Sequence, residues 1–118
     1  MRLLIVDDEV FIRKGIVKLL EQFHKSVTGT EEAKNGEEAL RLMAAFQPDI
    51  VITDIQMPVM NGLELAAAVR DRYPDVELII LTGYAEFEYV QQALRYQVAD
   101  YLLKPVTKIG LEEVLMRI

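Results

Sequence analysis

Residues 3–9 read Leu3-Leu4-Ile5-Val6-Asp7-Asp8-Glu9, four apolar residues running directly into three carboxylates. A short, continuous apolar run suits a strand buried on both faces. Three runs of the same kind follow: Ile50-Val51-Ile52, Leu78-Ile79-Ile80-Leu81 and Tyr101-Leu102-Leu103. A weaker candidate lies within residues 27–33. Helical periodicity fills the gaps. Val10, Ile12, Ile16, Leu19 and Leu20 mark a first helix, and Ala39, Leu40, Leu42, Met43 and Phe46 a second. The second opens on Asn35, a side chain suited to capping, followed by Glu37 and Glu38, which favour a helix N-terminus. Leu63, Leu65, Ala66 and Val69 mark a third helix, ended by Tyr73-Pro74. Phe87, Val90, Ala93 and Leu94 mark a fourth, and Ile109, Leu111, Val114, Leu115 and Ile118 a fifth. Strand and helix thus alternate five times. That order predicts an α/β fold, a parallel sheet with helices on both faces and right-handed crossovers.

The whole chain has 118 residues, a length that suits one domain, 1–118. It contains no Cys and one His, which excludes disulfides, zinc–thiolate and iron–sulfur sites, and His-rich metal centres. Nineteen acidic residues against thirteen basic ones give a formal charge of −6. Such a surface repels nucleic acid and anionic lipid, so any DNA binding by the parent protein falls to another domain. No apolar run approaches the roughly 18 residues that a membrane span needs. The opening run meets Asp7-Asp8-Glu9 too soon for a signal peptide, and a cytoplasmic protein is expected. The last helix has no stop signal before Ile118, which predicts that 1–118 is the N-terminal part of a longer chain. His24, near the end of the first helix, reads as a surface residue.

In open α/β sheets, ligands bind beyond the carboxyl ends of the strands. Here the first strand ends in Asp7-Asp8-Glu9, the third in Thr53-Asp54, the fourth in Thr82-Gly83 and the fifth in Lys104-Pro105. One stray Asp after a strand is usually a helix cap, and Asp8 could cap the first helix. Four polar termini of complementary charge on one edge are hard to obtain from capping alone. Clustered carboxylates either raise a pKa or hold a cation. Oxygen donors without His or Cys suit Mg²⁺, which binds through one or two carboxylates plus phosphate oxygens. A carboxylate can also act as a nucleophile toward phosphorus. The set fits phosphoryl transfer to Asp54, with Asp7 and Asp8 holding the metal and Thr82 and Lys104 gripping the phosphoryl oxygens.

These residues resemble the receiver domain of two-component response regulators. The resemblance covers essentially the whole chain. It rests on Asp7-Asp8, on Asp54 followed by Met57-Pro58 and Gly62, on Thr82, and on Lys104-Pro105, in that order and spacing. It implies the flavodoxin-like (βα)5 doubly wound sheet with strand order 2-1-3-4-5. It implies that Asp54 accepts a phosphoryl group from a sensor histidine kinase. It also implies Mg²⁺ bound by Asp8, Asp54 and the backbone carbonyl of Gln56, with Asp7 acting through water, and a cis Lys104–Pro105 bond. Thr82 and Tyr101 correspond to the family's switch pair. A receiver is a signalling domain, not an enzyme, although it assists its own phosphorylation and slow dephosphorylation. The stretches 54–65 and 81–89 resemble receivers joined to AraC-type DNA-binding domains.

Five of the nine aromatics, Tyr84, Phe87, Tyr89, Tyr96 and Tyr101, fall between residues 84 and 101. Tyr is enriched at interfaces, which suggests a phosphorylation-dependent homodimer through this face. Gln97 stands where receivers often have Gly at the end of the fourth helix. A left-handed Gln97 would cost about 1 kcal/mol relative to Gly. Two enzyme or cofactor readings fare worse. An aspartyl phosphatase of the haloacid dehalogenase type wants a second Asp where Gln56 stands. A flavodoxin wants a phosphate-cradling loop where Asp7-Asp8-Glu9 would repel it.

Overall fold

A computed structural model describes residues 1–23, 26–83 and 87–118, Phe87 through its backbone alone. Five strands, β1 (Arg2–Val6), β2 (Gly29–Ala33), β3 (Ile50–Asp54), β4 (Glu77–Thr82) and β5 (Asp100–Leu103), alternate with five helices. The helices are α1 (Val10–Leu20), α2 (Gly36–Phe46), α3 (Gly62–Arg72), α4 (Phe87–Ala93) and α5 (Lys108–Arg117). All neighbouring strands pair in parallel. Their order is 2-1-3-4-5, as expected.

Side chains on a strand point alternately to opposite faces, and the core divides accordingly. Leu3, Ile5, Ile50, Ile52, Ile79 and Leu81 pack with Ile16 and Leu20 of α1 and with Leu111 and Val114 of α5. Leu4, Val6, Val51 and Leu78 pack with Ala39 and Met43 of α2 and with Leu65, Ala66 and Val69 of α3. This two-sided burial is why the central strands read as unbroken apolar runs. The edge strands β2 and β5 are half-exposed, and β2 gave the weaker pattern.

The predicted helix ends match in detail. Asn35 accepts the Glu38 N–H at 2.9 Å, and α3 ends before Tyr73. At the start of α3, Asn61 and Glu64 form a reciprocal capping box. Two points differ. Glu9, not Asp8, precedes α1, and it makes no side-chain cap. The fourth helical segment changes type at its end: α4 stops at Ala93 and tightens into a 3₁₀ turn over Leu94–Tyr96. That turn ends on Gln97 with φ 55°, in the left-handed region. Arg70 of α3 braces it by donating to the carbonyls of Tyr96 at 2.8 Å and Gln97 at 3.3 Å. It also donates to the carbonyls of Pro74 and Val76. His24 lies outside the described residues.

Gly62 brings α3 against the end of β3. Its N–H donates to the Ile55 carbonyl at 2.8 Å, and a Cβ there would overlap the Asp54 carbonyl oxygen. Backbone cannot step aside as a side chain can. Gly62→Ala should therefore cost at least about 2 kcal/mol in chemical denaturation. Gln97→Gly should stabilise the domain by about 1 kcal/mol, raising the thermal midpoint by about 4 °C.

Candidate functional site

The sheet register gathers the polar strand ends. Val6 is level with Thr53 across β1 and β3, so the next residues, Asp7 and Asp54, stand side by side at the carboxyl edge. Leu103 is level with Thr82 across β5 and β4, and Lys104 follows. Its N–H donates to the Thr82 carbonyl at 2.8 Å. The Lys104–Pro105 bond is cis.

One ammonium meets two buried carboxylates. Lys104 Nζ lies 3.0 Å from Asp54 Oδ1 and 3.4 Å from Asp7 Oδ2. Asp54 Oδ1 also accepts the Ile55 N–H at 2.9 Å. Asp7 is fully buried. Its Oδ1 accepts the Glu9 N–H at 2.8 Å, while its Oδ2 has no hydrogen bond among the described residues. Burial pushes the Asp7 carboxyl up, the Glu9 N–H lowers it, Asp54 raises it and Lys104 lowers it, leaving it at about 6. Burial works against the Lys104 ammonium, but Asp54 and Asp7 outweigh that and hold its pKa above the ordinary lysine value. Asp8, on the exposed rim, completes a set of three carboxylates whose oxygens lie within 4.8 Å of one another.

The other expected residues surround this set. Thr82 ends β4, half-buried, with its hydroxyl donating to the Gly83 carbonyl at 3.2 Å. Gln56 is exposed. With Ile55, Met57, Pro58, Asn61 and Tyr89 it lines an open cavity of about 360 Å³. Within that loop Val59 has φ 70°. A β-branched residue there carries backbone strain of about 1–3 kcal/mol. Tyr101 is half-buried on β5 and packs on a cluster of Ile55, Ile80 and Ala93. Of the five aromatics noted in the sequence, Tyr84 and the Phe87 side chain lie outside the described residues.

The description "Response regulator receiver domain" belongs to the family model that matches residues 3–116. A response regulatory protein of Staphylococcus epidermidis is 42% identical over 116 residues, covering 97% of this chain and 45% of that protein. The transcriptional regulatory protein HptR of Staphylococcus aureus is 40% identical over 119 residues, covering 99% of this chain and 46% of HptR. Among solved structures, the REC domain of AraT, a response regulator from Geobacillus stearothermophilus, is 41% identical with a TM-score of 0.85, covering 98% of this chain and 91% of that one. The chain belongs to the response regulator receiver family. It spans about half the length of the two regulatory relatives.

Receivers are phosphorylation-dependent signalling domains of two-component systems, and as a family they bind Mg²⁺ at an acidic cluster. The donors of this receiver fit that ion. They are all oxygen, and among the described residues one of them, Asp7 Oδ2, is buried with no hydrogen bond, only the Lys104 ammonium 3.4 Å away. Hard oxygen donors with few protein ligands are what Mg²⁺ takes. Among the described residues, no helix is long and apolar enough to cross a membrane.

One feature beside the site was not anticipated. Arg13 Nη1 donates to the Asp7 carbonyl at 2.6 Å. The sequence carried a trace of it: Arg13 falls three residues from both Val10 and Ile16, a charge on the apolar side of α1.

The raised Asp7 pKa gives a pH signature to the metal-free receiver. The folded chain binds this proton at about 6, the unfolded chain near 3.8. Its contribution to stability is fully present below the lower value and is lost as pH rises through the upper one. Between pH 7 and pH 5 the gain is about 1 kcal/mol. In chelator, the thermal midpoint should be higher at pH 5 than at pH 7, and Asp7→Asn should remove most of that difference.

Proposed function

We propose that Asp54 accepts a phosphoryl group from the phosphohistidine of a sensor histidine kinase. The observation that carries this reading is the buried Asp54 carboxylate, 3.0 Å from Lys104 Nζ and within reach of Asp7 and Asp8. An Asp54 oxygen attacks phosphorus and forms the O–P bond. The P–N bond breaks, and the imidazole leaves with the electron pair. Lys104 neutralises the charge that builds on the phosphoryl oxygens, and the Thr82 hydroxyl is a donor at the end of the neighbouring strand. Asp8, Asp54 and the Gln56 backbone carbonyl would hold Mg²⁺, with Asp7 acting through water. The ion supplies charge neutralisation and Lewis-acid polarisation of the phosphoryl group. The domain assists its own phosphorylation and slow dephosphorylation without turning over a separate substrate, so we read it as a signalling module and not an enzyme.

Output follows from packing. Ile55, next to Asp54, shares a cluster with Ile80, Ala93 and Tyr101. Thr82 and Tyr101 form the switch pair in this reading. Tyr89 and Leu94 are exposed on the 84–101 face, which suits a homodimer formed on phosphorylation. The chain is a cytoplasmic receiver, residues 1–118, that regulates a linked effector. HptR is named a transcriptional regulator, which supports a DNA-binding effector. The resemblance to AraC-type regulators narrows its type.

The test is intact mass after incubation with acetyl phosphate and Mg²⁺. Wild type should gain one phosphoryl group, and Asp54→Asn should gain none. Equal labelling of the two would overturn the acceptor assignment.

A further inference from the structure

The turn that carries Asp7 and Asp8 is gripped from outside the pocket. Arg13 stands in the first turn of α1, with its side chain only 15% exposed. Its Nη1 donates to the Asp7 carbonyl at 2.6 Å, and its Nε donates to Glu32 Oε1 at 3.1 Å. Glu32 Oε2 in turn accepts the Lys14 ammonium at 2.7 Å. Neither bond of Arg13 goes to a pocket carboxylate. Glu32 belongs to β2, level with Ile5 of β1, so the guanidinium is anchored to the sheet. Burial would push the Glu32 carboxyl up, but Lys14 and Arg13 hold it below the ordinary range, and the anchor stays ionised.

The main chain of Asp7 is thereby fixed on both sides. Its N–H donates to the Ala33 carbonyl of β2 at 3.1 Å, and its carbonyl is held by Arg13. The peptide unit is planar. Fixing the Asp7 carbonyl therefore fixes the nitrogen and Cα of Asp8, from which the exposed carboxylate projects. A guanidinium suits the task, because its donors diverge in a rigid plane and can address a carboxylate and a carbonyl at once. A lysine has a single nitrogen and cannot hold both directions equally well.

We infer that Arg13, locked by Glu32, is a positioning residue that sets Asp8 against Asp7 and Asp54 for a divalent cation. The inference rests on the metal-binding reading above. Partners that orient ligands from outside a metal's own shell typically account for 10–100-fold in affinity. Arg13 acts one step further back, through the main chain, and a loss of about tenfold is expected.

The experiment is a Mg²⁺ titration of wild type, Arg13→Ala and Arg13→Lys, followed through the backbone amides of Asp8 and Glu9 by NMR. Thermal midpoints and amide exchange are measured in chelator alongside. Arg13→Ala should bind Mg²⁺ about tenfold more weakly. Arg13→Lys should fall between it and wild type. In chelator the Glu9 amide, which bonds to Asp7 Oδ1, should exchange faster in both variants while the β1 amides stay protected. A merely structural role would lower the midpoint and leave the Mg²⁺ affinity of the folded protein within about twofold of wild type; that result overturns the inference. If Arg13→Ala does not fold, Arg13→Lys decides it on the same criterion. If wild type itself fails to bind Mg²⁺, the metal reading falls and this inference with it. Normal binding by wild type and both variants overturns this inference alone.

Discussion

Like charge on one edge of the sheet is the constraint from which the rest follows. Asp7, Asp8 and Asp54 bring carboxylate oxygens within 4.8 Å of one another, and the Lys104 ammonium bridges the two buried ones. Each carboxylate pair repels by roughly 1–4 kcal/mol at effective dielectrics of about 80 to 20. The sheet can hold this arrangement because β1, β3 and β4 are covered on both faces. Gly62 lets α3 press against the Asp54 backbone, and Arg13 and Glu32 fix the turn after β1. The site is therefore incomplete in charge when alone. A divalent cation would offset this like charge, and a phosphoryl group on Asp54, which adds negative charge, would depend on that ion and on Lys104 in the proposed switch.

Packing links the neighbour of Asp54 to the α4–β5 face. That neighbour, Ile55, lies in a small cluster with Ile80 of β4, Ala93 of α4 and Tyr101 of β5. Arg70 holds the far end of that face through the carbonyls of Tyr96 and Gln97.

Much of this was legible in the sequence, for a physical reason. Strands buried on both faces must be continuously apolar, so the first polar residue after each run marks the carboxyl edge. Together with the rule that ligands gather at the carboxyl ends of such strands, that placed Asp7, Thr53-Asp54, Thr82 and Lys104 on one edge. Local capping chemistry placed the start of α2 at Asn35. What stayed hidden depends on contacts across sequence distance or on strain. Arg13 and Glu32 lie nineteen residues apart, and nothing in either segment announces the pair. Val59 adopts φ 70°, which a β-branched residue is the least expected to do; the surrounding loop overrides its preference. The 3₁₀ ending of α4 was invisible because its apolar spacing is the same in either helix type over one turn.

The most direct test of the account is a melting series on the unmodified chain: in chelator, with Mg²⁺, and with Mg²⁺ plus beryllofluoride, which mimics a phosphoryl group on a carboxylate. The account requires two successive rises. Mg²⁺ at ten times its Kd should add about 1.4 kcal/mol of stability, and beryllofluoride should add more, only when Mg²⁺ is present. A receiver that gains stability from Mg²⁺ but nothing from beryllofluoride would contradict the claim that this edge is built to complete itself with a phosphoryl group on Asp54.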